Sequence, residues 1–114
     1  MSVGQQIVEK AKEFIGYPYL AGGASPDGFD SPGFVYYVLK QLGINAPRNT
    51  AALLQQGDAG TGEAGDVICF NGLVGFSDGQ GNIILVYKGE VAINMLSDIS
   101  RWEGKSILGI RRYR

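Results

Sequence analysis

Ser31 and Cys69 are candidate nucleophiles in this sequence, and Asp66 and Asp78 are candidate proton acceptors for Ser31. Ser31 closes a glycine-rich run, Gly22-Gly23-Ala24-Ser25-Pro26-Asp27-Gly28-Phe29-Asp30-Ser31-Pro32-Gly33-Phe34-Val35. A hydroxyl acting there as a nucleophile would need a base, nearly always imidazole, to take its proton. The 114 residues contain no histidine. Nucleophilic chemistry of that kind is therefore expected not to run within this chain. Cys69 is the only cysteine. It sits in the apolar run Val67-Ile68-Cys69-Phe70, where a thiol without a basic partner is expected to be a small buried hydrophobe. A single cysteine also excludes an internal disulfide and a cysteine-rich metal site. No dense acidic loop is present to hold a metal, so no cofactor is expected.

These side chains must be held by elements that the sequence pattern outlines. Ile7, Ala11, Phe14 and Ile15 recur at helical spacing with charged residues between them, which predicts an amphipathic helix over about 3–15. Gly16 and Pro18 stop it. Asp30-Ser31-Pro32 reads as a helix start, with Ser or Asp as cap and Pro at the first position. Here Ser31 is read as a helix cap rather than a nucleophile. That helix runs through Phe34, Val35, Val38, Leu39 and Leu42 to Gly43. A short helix over about 50–56 is expected, with Thr50 as its cap. From residue 65 the pattern changes to short apolar runs at 67–70, 73–76, 83–87, 91–93 and 107–110, separated by Gly- and Asp-containing turns. Helices first and a strand meander second predict an α+β fold in one domain, residues 1–114, with N-terminal helices packed on a C-terminal antiparallel sheet of about five or six strands.

Composition narrows the function classes. Ten basic and 11 acidic residues give a net charge of −1, so nothing global favours nucleic acid as a partner. Arg101, Lys105, Arg111, Arg112 and Arg114 cluster towards the end and are read as a solvated face. No apolar run approaches a membrane span. The first residues lack the pattern of a signal peptide, which suits a cytoplasmic protein or a mature cell-envelope fragment.

With these residues in view, the sequence resembles the NlpC/P60 family of papain-like cell-wall peptidases. Ala11 to Gly16, Pro18-Tyr19 and Gly22-Gly23 match the family's opening helix and its Tyr-x-x-Gly-Gly stretch. Phe29 to Val35 matches Asp-Cys-Ser-Gly-Phe-Val. Pro47-Arg48-Asn49-Thr50 matches a Pro-Arg-Thr segment, and Gly65 to Phe70 matches Gly-Asp-Leu-Val-x-Phe. Leu73 to Val86 aligns on the His-Val-Gly-Ile-Tyr and Ile-Ile-His-Ala stretches, and Arg111-Arg112-Tyr113 suits the family's end. The resemblance implies a papain-like NlpC/P60 fold.

The departures fall on the family's catalytic positions. Its nucleophilic Cys is Ser31, its base His is Leu73, the polar residue orienting that base is Leu85, and the Ser after the nucleophile is Pro32. The resemblance thus implies a chain that is not an enzyme: a pseudo-peptidase serving as a binding or assembly module. Leu73 and Leu85 are expected side by side, facing Ser31, as an apolar plug where the base would be. Tyr19, Asp30, Ser31, Pro32 and Leu73 are the candidate binding residues. By resemblance, Tyr19 and Asp30 help hold a peptide's amino end; alternatively, Asp30 caps a helix and Tyr19 packs under the glycine loop. Expected partners are a peptidoglycan peptide or a protein, including a second copy. Two other readings stand beside this one. One is an active peptidoglycan peptide hydrolase with an unrecognised arrangement, such as Ser31 with Asp66 or Asp78. The other is a structural part of a larger or phage-derived assembly.

Overall fold

A computed structural model describes residues 1–114. The chain folds as α1 (Val3–Lys12), β1 (Ala24–Ser25), β2 (Gly28–Phe29), α2 (Ser31–Gln41), α3 (Thr50–Gln55), β3 (Asp58–Ala59), β4 (Val67–Phe70), β5 (Leu73–Ser77), β6 (Asn82–Tyr87), β7 (Glu90–Met95), α4 (Leu96–Glu103) and β8 (Gly109–Arg112). The strands form an antiparallel six-stranded sheet in the order β3-β8-β4-β5-β6-β7, with β1 and β2 paired apart from it. This is the α+β arrangement that the sequence pattern predicts. No helix is long and apolar enough to cross a membrane.

Strand alternation gives the sheet two faces, and each has its own core. On one face Val74, Phe76, Ile84 and Val86 meet Ile7 and Ala11 of α1 and Phe34, Val35, Val38 and Leu39 of α2. Phe34 packs edge-on against both Phe29 and Phe76, at centroid separations of 5.5 and 5.8 Å. Each such aromatic pair adds about 0.5–1.5 kcal/mol beyond burial. On the other face Ile68, Phe70, Ile83 and Leu85 are sealed by Ile99 of α4.

Four local readings are corrected. The first helix ends at Lys12 rather than near residue 15, because residues 13–16 continue as a turn that delivers Gly16 to β7. The cap of α3 is Asn49, whose Oδ1 accepts from the Ala52 N–H at 2.8 Å, and Thr50 is the first helical residue. The segment between β7 and β8 contains α4, which the apolar pattern did not reveal. Its first turn has no side-chain cap, and Ile99 is its only buried residue. The C-terminal basic residues are engaged rather than merely solvated: Arg112 pairs with Asp66 and Glu63, Arg114 with Asp58, Arg101 with Asp98, and Arg111 donates to the carbonyls of Gln56 and Gly57.

Candidate functional site

The site is set by how α2 begins. Asp30 caps it, its Oδ1 accepting from the Gly33 N–H at 2.6 Å. The capping role read for Ser31 is thereby corrected: Ser31 is the first helical residue, and its hydroxyl faces the sheet. Gly33 is required by packing, since a Cβ there would lie 2.0 Å from the Gly23 carbonyl oxygen. That contact ties the glycine loop to the helix start, as does the hydrogen bond from the Asp30 N–H to the same oxygen, at 2.9 Å. Arg48 adds a tie at the adjoining residue by donating to the Gly22 carbonyl at 2.8 Å.

The Ser31 hydroxyl does the work of a missing strand partner. Its Oγ accepts from the Val74 N–H at 2.7 Å and donates to the Val74 carbonyl at 2.8 Å. The ladder between β5 and β6 runs from Ser77 opposite Ile83 to Gly75 opposite Leu85 and stops there. Val74 would otherwise take its next bonds from β6. The hydroxyl stands in that gap, so β6 turns away and a groove opens over the N-terminus of α2. The Ser31 N–H makes no hydrogen bond. Pro32 has none to offer. At this helix start one backbone donor is therefore unpaired.

The groove encloses about 660 Å³ and is lined by Tyr19, Asp30, Ser31, Pro32, Asn49, Thr50, Gly72, Leu73, Val86, Tyr87, Lys88, Gly89 and Glu103. All five candidate binding residues, Tyr19, Asp30, Ser31, Pro32 and Leu73, lie along it. Tyr19 is 53 % exposed, so it is not packed away under the glycine loop, and its N–H donates to the Gly89 carbonyl at 2.9 Å. The far wall, Tyr87, Lys88 and Glu103, was not read from the sequence. It comes from the β6–β7 hairpin and from α4, which meet through the Tyr87 hydroxyl donating to Glu103 at 2.6 Å.

The expected apolar pairing is met only in part: Leu73 packs against the apolar cluster that holds Leu85, but Leu85 does not line the groove. Leu73 is half-buried in the groove wall, but Leu85 is fully buried in the core beneath α4 with Ile68, Phe70, Ile83 and Ile99. The two share a face of the sheet, as alternation implies, yet that face is the one α4 covers. Asp66 and Asp78 are likewise remote from the groove. Asp66 receives Arg112 through two contacts, at 2.8 and 3.0 Å, and the N–H groups of Thr61, Gly62 and Glu63 at 3.0 Å each. Burial pushes its pKa up, but the guanidinium and these N–H donors outweigh burial and hold it below the ordinary value. Asp78 is spent on its own turn, accepting from the Gln80 and Asn82 N–H groups and from the Asn82 side chain. Cys69 is fully buried, and burial pushes its thiol up to about 11, the opposite of a reactive thiolate. A second cavity, about 360 Å³, lies between the start of α1 and the end of β8. Its charged groups Asp66, Glu63 and Arg112 are paired with one another.

Comparison with known proteins agrees with this geometry. The sequence profile of the NlpC/P60 family matches residues 16–107. The gamma-DL-glutamyl hydrolase of Bacillus subtilis is 35 % identical over 120 residues, covering 94 % of this chain and 29 % of that protein. The crystal structure of an NlpC/P60 family protein from Bacillus cereus superposes with a TM-score of 0.85 at 30 % identity, over 98 % of this chain and 40 % of that one. The NlpC/P60 domain of the peptidoglycan hydrolase SagA gives a TM-score of 0.77 at 28 % identity, over 93 % and 97 %. The chain thus spans well under half the length of the first two. These relatives correct one expectation. Ser31, Leu73 and Leu85 at the catalytic positions imply a chain that is not an enzyme, whereas the relatives carry the names of hydrolases, endopeptidases and a dipeptidyl-peptidase, which point to an enzyme. The extent of the profile match and the identity to these relatives show that the chain belongs to the NlpC/P60 family.

Proposed function

We propose that this chain is a hydrolase of γ-glutamyl peptides of the peptidoglycan kind, taken in the groove over the N-terminus of α2 with Ser31 at the reacting position. The observation that carries the reading is the convergence there of a hydroxyl, an unpaired backbone N–H and an open groove. The names of the relatives supply the bond: a gamma-DL-glutamyl hydrolase, a gamma-D-glutamyl-L-lysine dipeptidyl-peptidase and a peptidoglycan hydrolase.

The chemistry has a definite requirement. Ser31 Oγ must leave Val74 and add to the scissile carbonyl. Its proton must reach a carboxylate, because no imidazole exists in the chain. Asp30 and Glu103 are the carboxylates lining the groove. Glu103 is held by the Tyr87 hydroxyl, whereas Asp30 uses only Oδ1 as a cap and leaves Oδ2 free. Asp30 is therefore the proton acceptor in this reading. The Ser31 N–H, at the positive end of α2, suits the developing oxyanion. The amine leaves with the proton, and water then releases the acyl group from Ser31. General-base catalysis commonly contributes about 10²–10⁴-fold and is most efficient with a base matched to the working pH, a match that imidazole has and an ordinary carboxylate lacks, so turnover is slow.

The test is cleavage of Ala-γ-D-Glu-Lys by purified protein, followed by mass spectrometry. Slow release of lysine by the wild type, lost in Ser31→Ala and Asp30→Asn proteins of unchanged circular dichroism, supports the reading. Intact peptide after prolonged incubation with the wild type overturns it, and so does undiminished cleavage by Ser31→Ala.

A further inference from the structure

The hairpin from β6 to β7 closes in two residues, Lys88 and Gly89, because Tyr87 pairs with Glu90. Both central residues have left-handed backbone, at φ 52° and 95°, as the I′ turn of a two-residue hairpin demands. Glycine, asparagine and aspartate suit such a position. Lys88 is the only non-glycine residue of the chain with positive φ. A lysine contributes nothing to that turn, and an outlier of this kind directs attention to what its side chain does.

The side chain lines the groove beside Tyr19, Asp30 and Ser31 and is the only basic one that does. Its ammonium lies 5.5 Å from the ring centroid of Tyr87 and 5.2 Å from that of Trp102. Those rings stack on each other at 6.4 Å with planes 11° apart. Two aromatic faces thus orient the cation without neutralising it. Lys88 forms no salt bridge. The nearby acid is otherwise engaged, Glu103 accepting from the Tyr87 hydroxyl and lying 3.9 Å from Lys105. An oriented, unpaired ammonium on the wall of a groove is a receptor for an anionic group of whatever the groove holds.

A γ-linked glutamyl unit carries such a group. Linkage through the side-chain carbonyl leaves its α-carboxylate free, a charge that an α-linked peptide lacks at that place and that amidation removes. Resting on the function proposed above, we infer that Lys88 recognises the free α-carboxylate of the γ-glutamyl unit and so selects the acid over its α-amide. Tyr87 and Trp102 are positioning residues in this scheme: they hold the ammonium towards the groove.

The experiment compares, by calorimetry, the binding of Ala-γ-D-Glu-Lys and of the same peptide with its α-carboxyl amidated. Lys88→Asn removes the charge with a residue the turn prefers, so loss of fold does not confuse the result, and Lys88→Arg restores the charge. The wild type is expected to bind the acid about tenfold more tightly than the amide. Lys88→Asn should bind both alike, at the wild-type affinity for the amide, and Lys88→Arg should recover most of the preference. Equal binding of the two peptides by the wild type overturns the assignment, as does a preference kept by Lys88→Asn. Failure of the wild type to bind either peptide overturns the γ-glutamyl reading itself, and the role of Lys88 falls with it. In the other overturning outcomes that reading stands.

Discussion

Ser31 holds two positions in the architecture at once. Its hydroxyl satisfies the N–H and the carbonyl of Val74, so it serves as a strand partner in a place where a strand would close the groove. Removing it leaves two buried backbone groups without partners, each costing about 1–3 kcal/mol unless β6 moves in to replace it. Ser31→Ala is therefore expected to lose about 2–6 kcal/mol of stability in urea titrations, more than an ordinary surface serine would. If β6 closes onto Val74 instead, stability is kept and the Val86 amide, which the register sets opposite Val74, gains protection in hydrogen exchange. Cys69 makes a complementary residue-scale prediction. With the thiol pushed up to about 11 and no exposed surface, it should resist alkylation in the native protein at pH 8 and react at once in denaturant.

At the scale of elements, what was legible and what was not have separate physical causes. The start of α2 could be read because Asp, Ser and Pro each have a local mechanism at a helix start; only the choice of cap between Asp30 and Ser31 depends on the three-dimensional fold. The strands could be read because apolar runs bounded by glycine have a short-range pattern. α4 could not be read, because a helix of eight residues that buries one side chain has little apolar periodicity to display. Missing α4 had a consequence. Alternation correctly puts Leu73 and Leu85 on one face, but without α4 that face is taken for the groove, and Leu85 is in fact core. The far wall of the groove escaped for a related reason: Tyr87, Lys88 and Glu103 meet through tertiary contacts between the hairpin and α4. The hairpin itself yields a prediction. Lys88 in left-handed backbone costs about 1 kcal/mol relative to a residue that tolerates it. Lys88→Asn should accordingly raise the thermal midpoint by a few degrees in calorimetry, while a Lys88→Val exchange should lower it.

At the scale of the whole molecule, one buried charge links distant parts of the chain. Asp66 joins the loop of residues 61–63 to Arg112 of β8, and it is 1 % exposed. Its folded pKa lies below the ordinary value of 3.8 despite burial. A depressed carboxylate contributes stability that is fully present above its unfolded pKa and is lost as pH falls through the folded one. Stability should thus hold steady down to about pH 4 and fall below it. Asp66→Asn should be less stable at pH 7 and should show a flatter acid limb, measured by urea unfolding across pH. An unchanged acid limb in that variant would assign the acid sensitivity to other carboxylates.

The central claim is that the groove over α2, and not the cavity between α1 and β8, is where a γ-glutamyl peptide engages this chain. Amide chemical-shift mapping by NMR with Ala-γ-D-Glu-Lys tests it most directly. The account predicts shifts concentrated at Tyr19, Asp30, Ser31, Leu73, Lys88 and Gly89, with Ser2 to Gln5 and Arg112 unmoved. Shifts confined to Ser2–Gln5, Glu63–Asp66 and Arg112, or none anywhere at millimolar peptide, would contradict it.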